Sequence, residues 1–263
     1  MNLFVDILFG VFVFAILVQI FYAFYFFIRL SFYIEKSESF TQGVSVIICA
    51  KDEADMLYEN IPSFLEQDYP NFEVIVVDDQ SVDGTKYLLK DLEKKYSNLK
   101  VVTIDSHVIS RVGKKFALTL GIKTAKYDYV LLSDADCRAL SKNWITKMTS
   151  SFVSKDIVLG ISPYRKSKGI LNKFIRYDEF LVMLQYLSYA LAKIPYMGVG
   201  RNLAYKKSLF FNVKGFASHI HIPSGDDDLF IKEVANSDNV AIKVHEDANI
   251  LSEPKITFSE WSY

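Results

Sequence analysis

Cysteine is scarce: two residues, Cys49 and Cys137, in 263. Two thiols that far apart exclude a disulfide-stapled fold and lack the spacing of a zinc knuckle or redox pair, so a reduced compartment is the simpler expectation. Histidine is scarce too, and His107, His219, His221 and His245 offer one i,i+2 pair but no metal-ligand spacing. Neither sign of charge is in surplus. Thirty Lys plus Arg against 31 Asp plus Glu leave a formal net charge of -1, which supplies no general field for gathering nucleic acid. There is no G-x-S-x-G elbow, no Walker lysine loop and no G-x-G-x-x-G fingerprint, and the GVG at 198–200 does not supply one. What the chain has instead is apolar material. At 51% hydrophobic residues it holds enough for one sizeable core, or a core plus a membrane element.

That material is unevenly spread. Between Asp6 and Arg29 lies ILFGVFVFAILVQIFYAFYFFI, 22 residues with Gln19 as the one strongly polar side chain. As a helix it is roughly 33 Å long, enough for a hydrocarbon core of about 30 Å, and it has no wet face. No basic residue precedes it and no small-residue cleavage pattern follows, which argues against a removed signal peptide. Arg29 and Lys36 follow the span while Asp6 precedes it, so the charge difference favours a cytoplasmic C-terminal side. The expected organisation is a transmembrane helix at 1–33, a polar juxtamembrane linker at 34–43 and one catalytic domain at 44–263. No internal repeat is evident.

From residue 44 short apolar runs alternate with longer mixed segments. The runs at 44–50, 72–79, 99–105 and 127–136 read as strands covered on both faces. Between them, 53–67, 84–97 and 113–125 carry helical spacing. This pattern predicts an α/β fold, a mostly parallel twisted sheet flanked by helices, with ligand chemistry at the carboxyl ends of the strands. Polar clusters fall at those ends: KDE after the first run, DDQSVDGT after the second and DAD after the fourth. The segment 173–193 reads as one aromatic-rich helix, either packed internally or lying as an amphipathic element near the bilayer.

Several residues have the chemistry of a site. Asp134 and Asp136 place two hard carboxylates after a strand, where they suit Mg²⁺ or Mn²⁺ shared with a diphosphate, or else form an ordinary acidic turn. Asp78 and Asp79 end another strand; a carboxylate there can accept from a uracil imide or ribose hydroxyls, one of the two is expected to be structural, and Asp79 is the preferred contact. Ala50, Lys51 and Glu53 close the first strand. Lys114, at the start of a helix, either offsets charge on a diphosphate or is simply solvated. SGDDDLF at 224–230 packs three carboxylates before an apolar run, as a general base, a helix cap, or both on different aspartates. Arg201 and Asn202, in a glycine-containing stretch, suit a close-approach loop beside sugar or phosphate.

Taken together, VSVIICAKDEADML (44–57), VIVVDDQSVDGT (74–85), GKKFAL (113–118), LLSDADC (131–137) and SGDDDLF (224–230) resemble the family 2 glycosyltransferases. That resemblance implies the A-type nucleotide-sugar fold, a UDP-sugar or similar donor, one divalent cation and inversion at the anomeric carbon. By similarity Lys51 to Glu53 and Asp79 would hold the nucleoside, and Asp134 with Asp136 the diphosphate and metal, Asp136 as the direct ligand. The catalytic base would be Asp227, with Asp226 as the near alternative. The implied partners are a nucleotide-sugar donor and a lipid-linked or glycan acceptor at the membrane, with no nucleic acid. The chain departs from the family's processive members, because no Q-x-x-R-W motif follows Trp261. Truncation before an acceptor-side segment is the expectation. A nucleotidyltransferase-like enzyme or a catalytically silent nucleotide-binding module are the alternative readings.

Overall fold

A computed structural model of the chain describes residues 3–36, 38–104, 113–222 and 224–261. Asp105, at the end of the third apolar run, and His107 lie outside the described residues, as do the final two residues.

The apolar runs form strands. β1 (Val44–Ala50), β2 (Phe72–Asp79), β3 (Leu99–Ile104) and β4 (Tyr129–Asp134) are joined by helices at Ala54–Asn60, Thr85–Lys95 and Lys114–Thr124. After them come β5 (Cys137–Ala139), β6 (Ile157–Leu159), β7 (Leu203–Lys206), β8 (Val240–Ile242) and β9 (Ile250–Ser252). The main sheet has the order β3-β2-β1-β4-β7-β6-β8, and β5 pairs with β9 separately. Its pairings are parallel except at β4–β7 and β6–β7, so the expected α/β class with a mostly parallel sheet is what the structure shows.

Strand periodicity builds two cores. Val46, Ile48, Val74 and Val76 face a layer containing Leu57, Phe64 and Trp144, while Ile47, Ile75 and Val77 face Ala117, Ile122 and Tyr186. Both faces are covered, which is why β1 and β2 are nearly continuous apolar runs. Gly121 lies so close to the sheet that a Cβ there would sit 2.6 Å from Ile47 Cγ2.

Register sets where the polar ends meet. Ala50 is opposite Asp78 and Cys49 opposite Asp134, so the ends of β1, β2 and β4 reach one edge. β7 runs antiparallel to β4 with Leu203 opposite Leu132, and this brings the turn Gly200–Asn202 to the same edge.

The N-terminal helix, Leu3–Ser31 with a π-helical turn at Ala23–Phe27, is long and apolar enough to cross a membrane, and its most apolar stretch is not buried at all. Only its last turns dock: buried Phe26 stacks on Tyr189 at 4.4 Å. The linker is docked as well. Glu35 pairs with the fully buried Lys243 at 3.1 Å and accepts from the backbone N–H of Val244 and His245. Phe40 packs edge-on against Tyr129.

Candidate active site

The common strand edge holds a cavity of about 410 Å³, within the range of small-molecule sites. Its lining includes Ala50, Lys51 and Glu53 from the end of β1, Asp79 from β2, Lys114 from the helix that follows β3, and Asp134 and Asp136 from the β4 end. Cys49, Gly113, Ala117 and Ala135 complete the wall beside them.

Two turns hold one side open, each with a residue at positive φ: Asp52 at 54° and Gln80 at 60°. They brace each other. The Asp52 N–H donates to Ser81 Oγ at 2.9 Å and Asp52 Oδ1 accepts from the Val82 N–H at 2.7 Å. Asp83 and Thr85 add to the clamp, accepting from the N–H groups of Ala54 and Glu53. The two adjacent acids of β2 therefore divide. Asp78, 1% exposed, accepts from the Ser81 N–H and lies behind the cavity wall, which corrects its expected place as a donor contact. Asp79 is in the wall and has one buried carboxylate oxygen without a hydrogen-bond partner. Burial holds its pKa above the ordinary carboxylate value, against the pull of Lys51.

The two lysines opening the helix at 114 also divide. Lys115 is buried and donates to the carbonyls of His219 and Ile222, fixing the loop that leads to the acidic cluster. Lys114 lies between Asp134 at 3.0 Å and Asp226 at 3.5 Å. Burial alone would lower its pKa, but Asp134 and Asp226 raise it overall, so it stays a fixed cation. It is thereby neither a freely solvated lysine nor an unpaired one.

Of the three consecutive aspartates, Asp227 is gripped hardest. Its Oδ2 accepts from the Gly200 N–H at 2.7 Å and its Oδ1 from the Asp228 N–H at 2.8 Å, capping the helix Asp228–Val234. Burial and the neighbouring Asp226 hold its pKa above the ordinary value, while the two N–H groups oppose that shift. The cap and the candidate base are thus one residue. The fit to Gly200 is close, since a Cβ there would sit 3.3 Å from Asp227 Oδ2.

Asn202 does not reach the cavity. It is 1% exposed and its amide is fully engaged, accepting from Trp144 Nε1 and donating to the carbonyls of Ile161 and Ala248, so its expected donor contact is corrected to a structural role. Arg201 is likewise held away from the cavity lining: it pairs with Glu179 at 2.7 Å and its guanidinium covers the Tyr164 ring at 4.4 Å. Its charge still lowers the pKa of Asp136, although burial and Asp134 leave that group raised. Glu179 and Tyr164 were not legible as site neighbours, since neither belongs to a strand-end cluster.

Among the described residues, no three His, Cys, Asp or Glu side chains are grouped as a metal cage. Asp134 and Asp136 nevertheless share one wall of the cavity. A magnesium-type ion is commonly held by one or two carboxylates with the remaining oxygens from substrate phosphates, and this donor set fits that arrangement. Neither thiol offers an alternative chemistry: burial pushes Cys49 up to about 12, and Cys137 is also raised.

A mostly parallel sheet with a polar cavity at its carboxyl edge, carboxylates from β2 and β4 on either side of β1 and one fixed lysine have the architecture of an α/β ligand site. Residues 45–214 match the family described as glycosyl transferase family 2, and the chain belongs to that family. The match ends before the acidic cluster at 224–230.

The chain is similar to a poly-beta-1,6-N-acetyl-D-glucosamine synthase of Staphylococcus epidermidis, 31% identical over 43% of this chain and 27% of that protein. A putative teichuronic acid biosynthesis glycosyltransferase, TuaG of Bacillus subtilis, is 28% identical over 52% of this chain and 54% of that protein. These alignments span about a quarter to a half of the relatives' lengths. In fold the chain resembles a mannosyltransferase of Pyrobaculum calidifontis, in complex with GDP-Man and Mn²⁺, with a TM-score of 0.67 at 20% identity over 86% of this chain and 61% of that one. It also resembles S. aureus TarS 1-349 in complex with UDP-GlcNAc, with a TM-score of 0.61 at 20% identity over 84% of this chain and 61% of that one.

Proposed function

We propose that the chain transfers a sugar, with inversion, from a nucleotide-sugar donor to a lipid-linked or polysaccharide acceptor at a membrane. The carrying observation is the juxtaposition of Asp79, Lys114, Asp134 and Asp136 in one cavity, with Asp226 tied to it through Lys114 and Asp227 beside it in sequence. Asp79, with its unpartnered oxygen, accepts from a base or ribose group of a donor such as a UDP-sugar. Lys114 faces the diphosphate, where its fixed charge favours the departing anion. Asp227 takes the proton of the acceptor hydroxyl as that oxygen attacks the anomeric carbon, and its raised pKa suits a general base better than an ordinary carboxylate would. Asp226, paired with Lys114, is the alternative for this step.

Mg²⁺ or Mn²⁺ held by Asp136 with Asp134 would add positive charge beside the leaving diphosphate. The names of relatives support a surface-polysaccharide setting, and the N-terminal helix supports attachment by one span. The Arg29 and Lys36 charges, against Asp6 before the span, support a cytoplasmic side for the catalytic domain.

The test is a panel of nucleotide-sugars with Mg²⁺ or Mn²⁺, scored by release of nucleoside diphosphate with and without lipid or glycan acceptors. Acceptor-dependent release supports the reading. Turnover of nucleoside triphosphates, with none of nucleotide-sugars, overturns it.

A further inference from the structure

The long helix Ile170–Leu191 is enclosed at one end and open at the other. Near its C-terminus the consecutive residues Tyr186, Leu187 and Ser188 are all buried, which requires cover over about 200° of the circumference. Near its N-terminus Asn172 and Ile175 are buried, but Ile170 is 69%, Phe174 55%, Tyr177 61% and Phe180 50% exposed. At about 100° per residue, Ile170, Phe174, Tyr177 and Leu181 fall within an arc of about 60°. This is a contiguous apolar stripe rather than scattered exposure.

Two observations indicate what covers it. The helix is the same one on which the apolar N-terminal helix docks, through Phe26 on Tyr189, so its enclosed end lies at the end of the membrane-crossing segment. The exposed stripe lies farther along the same helix, with exposed Phe180 on its border about 14 Å from Tyr189 at about 1.5 Å per residue. The second observation is charge: Lys173 and Arg176 border the stripe on one side and Asp178 on the other, Lys166 and Lys168 precede it, and all five are exposed. An apolar face with four exposed cations against one acid around it matches the interfacial zone of an anionic bilayer.

We propose that the face formed by Ile170, Phe174 and Tyr177, with Phe180 on its cationic border, rests in the headgroup region of the bilayer that the N-terminal helix crosses, with Lys168, Lys173 and Arg176 meeting anionic headgroups. The proposal rests on the membrane-span reading above. A docked span and a surface face together fix the tilt of the catalytic domain against the bilayer.

The test uses the full chain in phosphatidylglycerol–phosphatidylcholine vesicles, with an environment-sensitive fluorophore on an introduced thiol: Phe174→Cys, Tyr177→Cys, Phe12→Cys or Lys94→Cys. Cys137 is buried, and Cys49, half-buried in the cavity wall, is replaced by Ala in every labelled chain. Spin-labelled lipid should quench the probe at 174 and 177 several-fold more than at 94, a side chain at the opposite sheet edge. If the probe at 12 is quenched but those at 174 and 177 match 94, the surface proposal is overturned, whether they are open to aqueous iodide or shielded by another copy. If the probe at 12 is not quenched, the span reading itself fails.

Discussion

Replacing Asp227 by Asn separates catalysis from architecture. The substitution keeps the shape but removes the basicity, and loss of a positioned general base reduces turnover by about 10²–10⁴, which corresponds to about 2.7–5.5 kcal/mol of transition-state stabilisation. A second cost comes from the two N–H groups that Asp227 accepts, from Gly200 and Asp228. Asparagine has one acceptor oxygen, so one donor loses its partner and meets an amide NH₂, at about 1–3 kcal/mol of stability. Donor binding should change little, because the cavity walls come from β1, β2, β4 and the helix at 114.

The pH behaviour supplies an independent check. The folded pKa of Asp227 lies above its ordinary value, so the native state holds that proton more firmly than the unfolded chain does. Stability contributed by protonation is therefore lost as pH rises from the ordinary value through the folded one, and Asp227→Asn should flatten that slope. Activity runs the other way, rising as the base ionises. The assay is acceptor-dependent nucleoside diphosphate release, alongside calorimetric donor titration and thermal melting across pH. Turnover within tenfold of the parent (about 1.4 kcal/mol) at intact donor affinity would refute the base assignment and move it to Asp226.

Lys114→Met should weaken donor affinity about tenfold, the low end for a charged contact, because the side chain is 44% exposed and its pairs with Asp134 and Asp226 are partly screened; titration calorimetry reads this. Arg201→Met should destabilise the domain by about 3–5 kcal/mol, since it leaves Glu179 buried without its cation, and a melting temperature unchanged from the parent would contradict that account. Gly121→Ala should cost about 1–3 kcal/mol in denaturant unfolding, because its Cβ meets the immobile Ile47 and Val77 at 2.6 and 3.1 Å. Chelation of divalent cations should suppress turnover, and Asp136→Asn should raise the Mn²⁺ concentration needed to restore it, measured by titrating the metal back.

The strands of the first half were legible because burial on both faces leaves a one-dimensional mark, a nearly unbroken apolar run. Residues at their ends were legible as a set for the same reason: parallel strands of matched register deliver their carboxyl ends to one edge. Individual duties were legible only as preferences, such as Asp79 over Asp78. Asp78 and Asp79 are adjacent and chemically identical, and alternation across β2 decides which turns to the cavity. Lys114 and Lys115 part in the same way on successive faces of a helix. Arg201 and Asn202 lie on a turn that the antiparallel β7 carries to the site edge, yet their polar groups are satisfied by Glu179, Trp144 and two carbonyls, partners 22 or more residues away in sequence.

The scarcity of cysteine, the even charge, the apolar span and the spaced acidic strand ends are properties of the chain itself, and they determined the fold class and the chemistry available. Local sequence carries them because periodicity and composition are set by whether a segment faces core, water or lipid. Which carboxylate faces the donor cavity, which one caps a helix while remaining a candidate base, and which cation stands between Asp134 and Asp226 depend on contacts between distant segments. Only the folded arrangement decided those, because side-chain pairing and burial belong to neighbours in space.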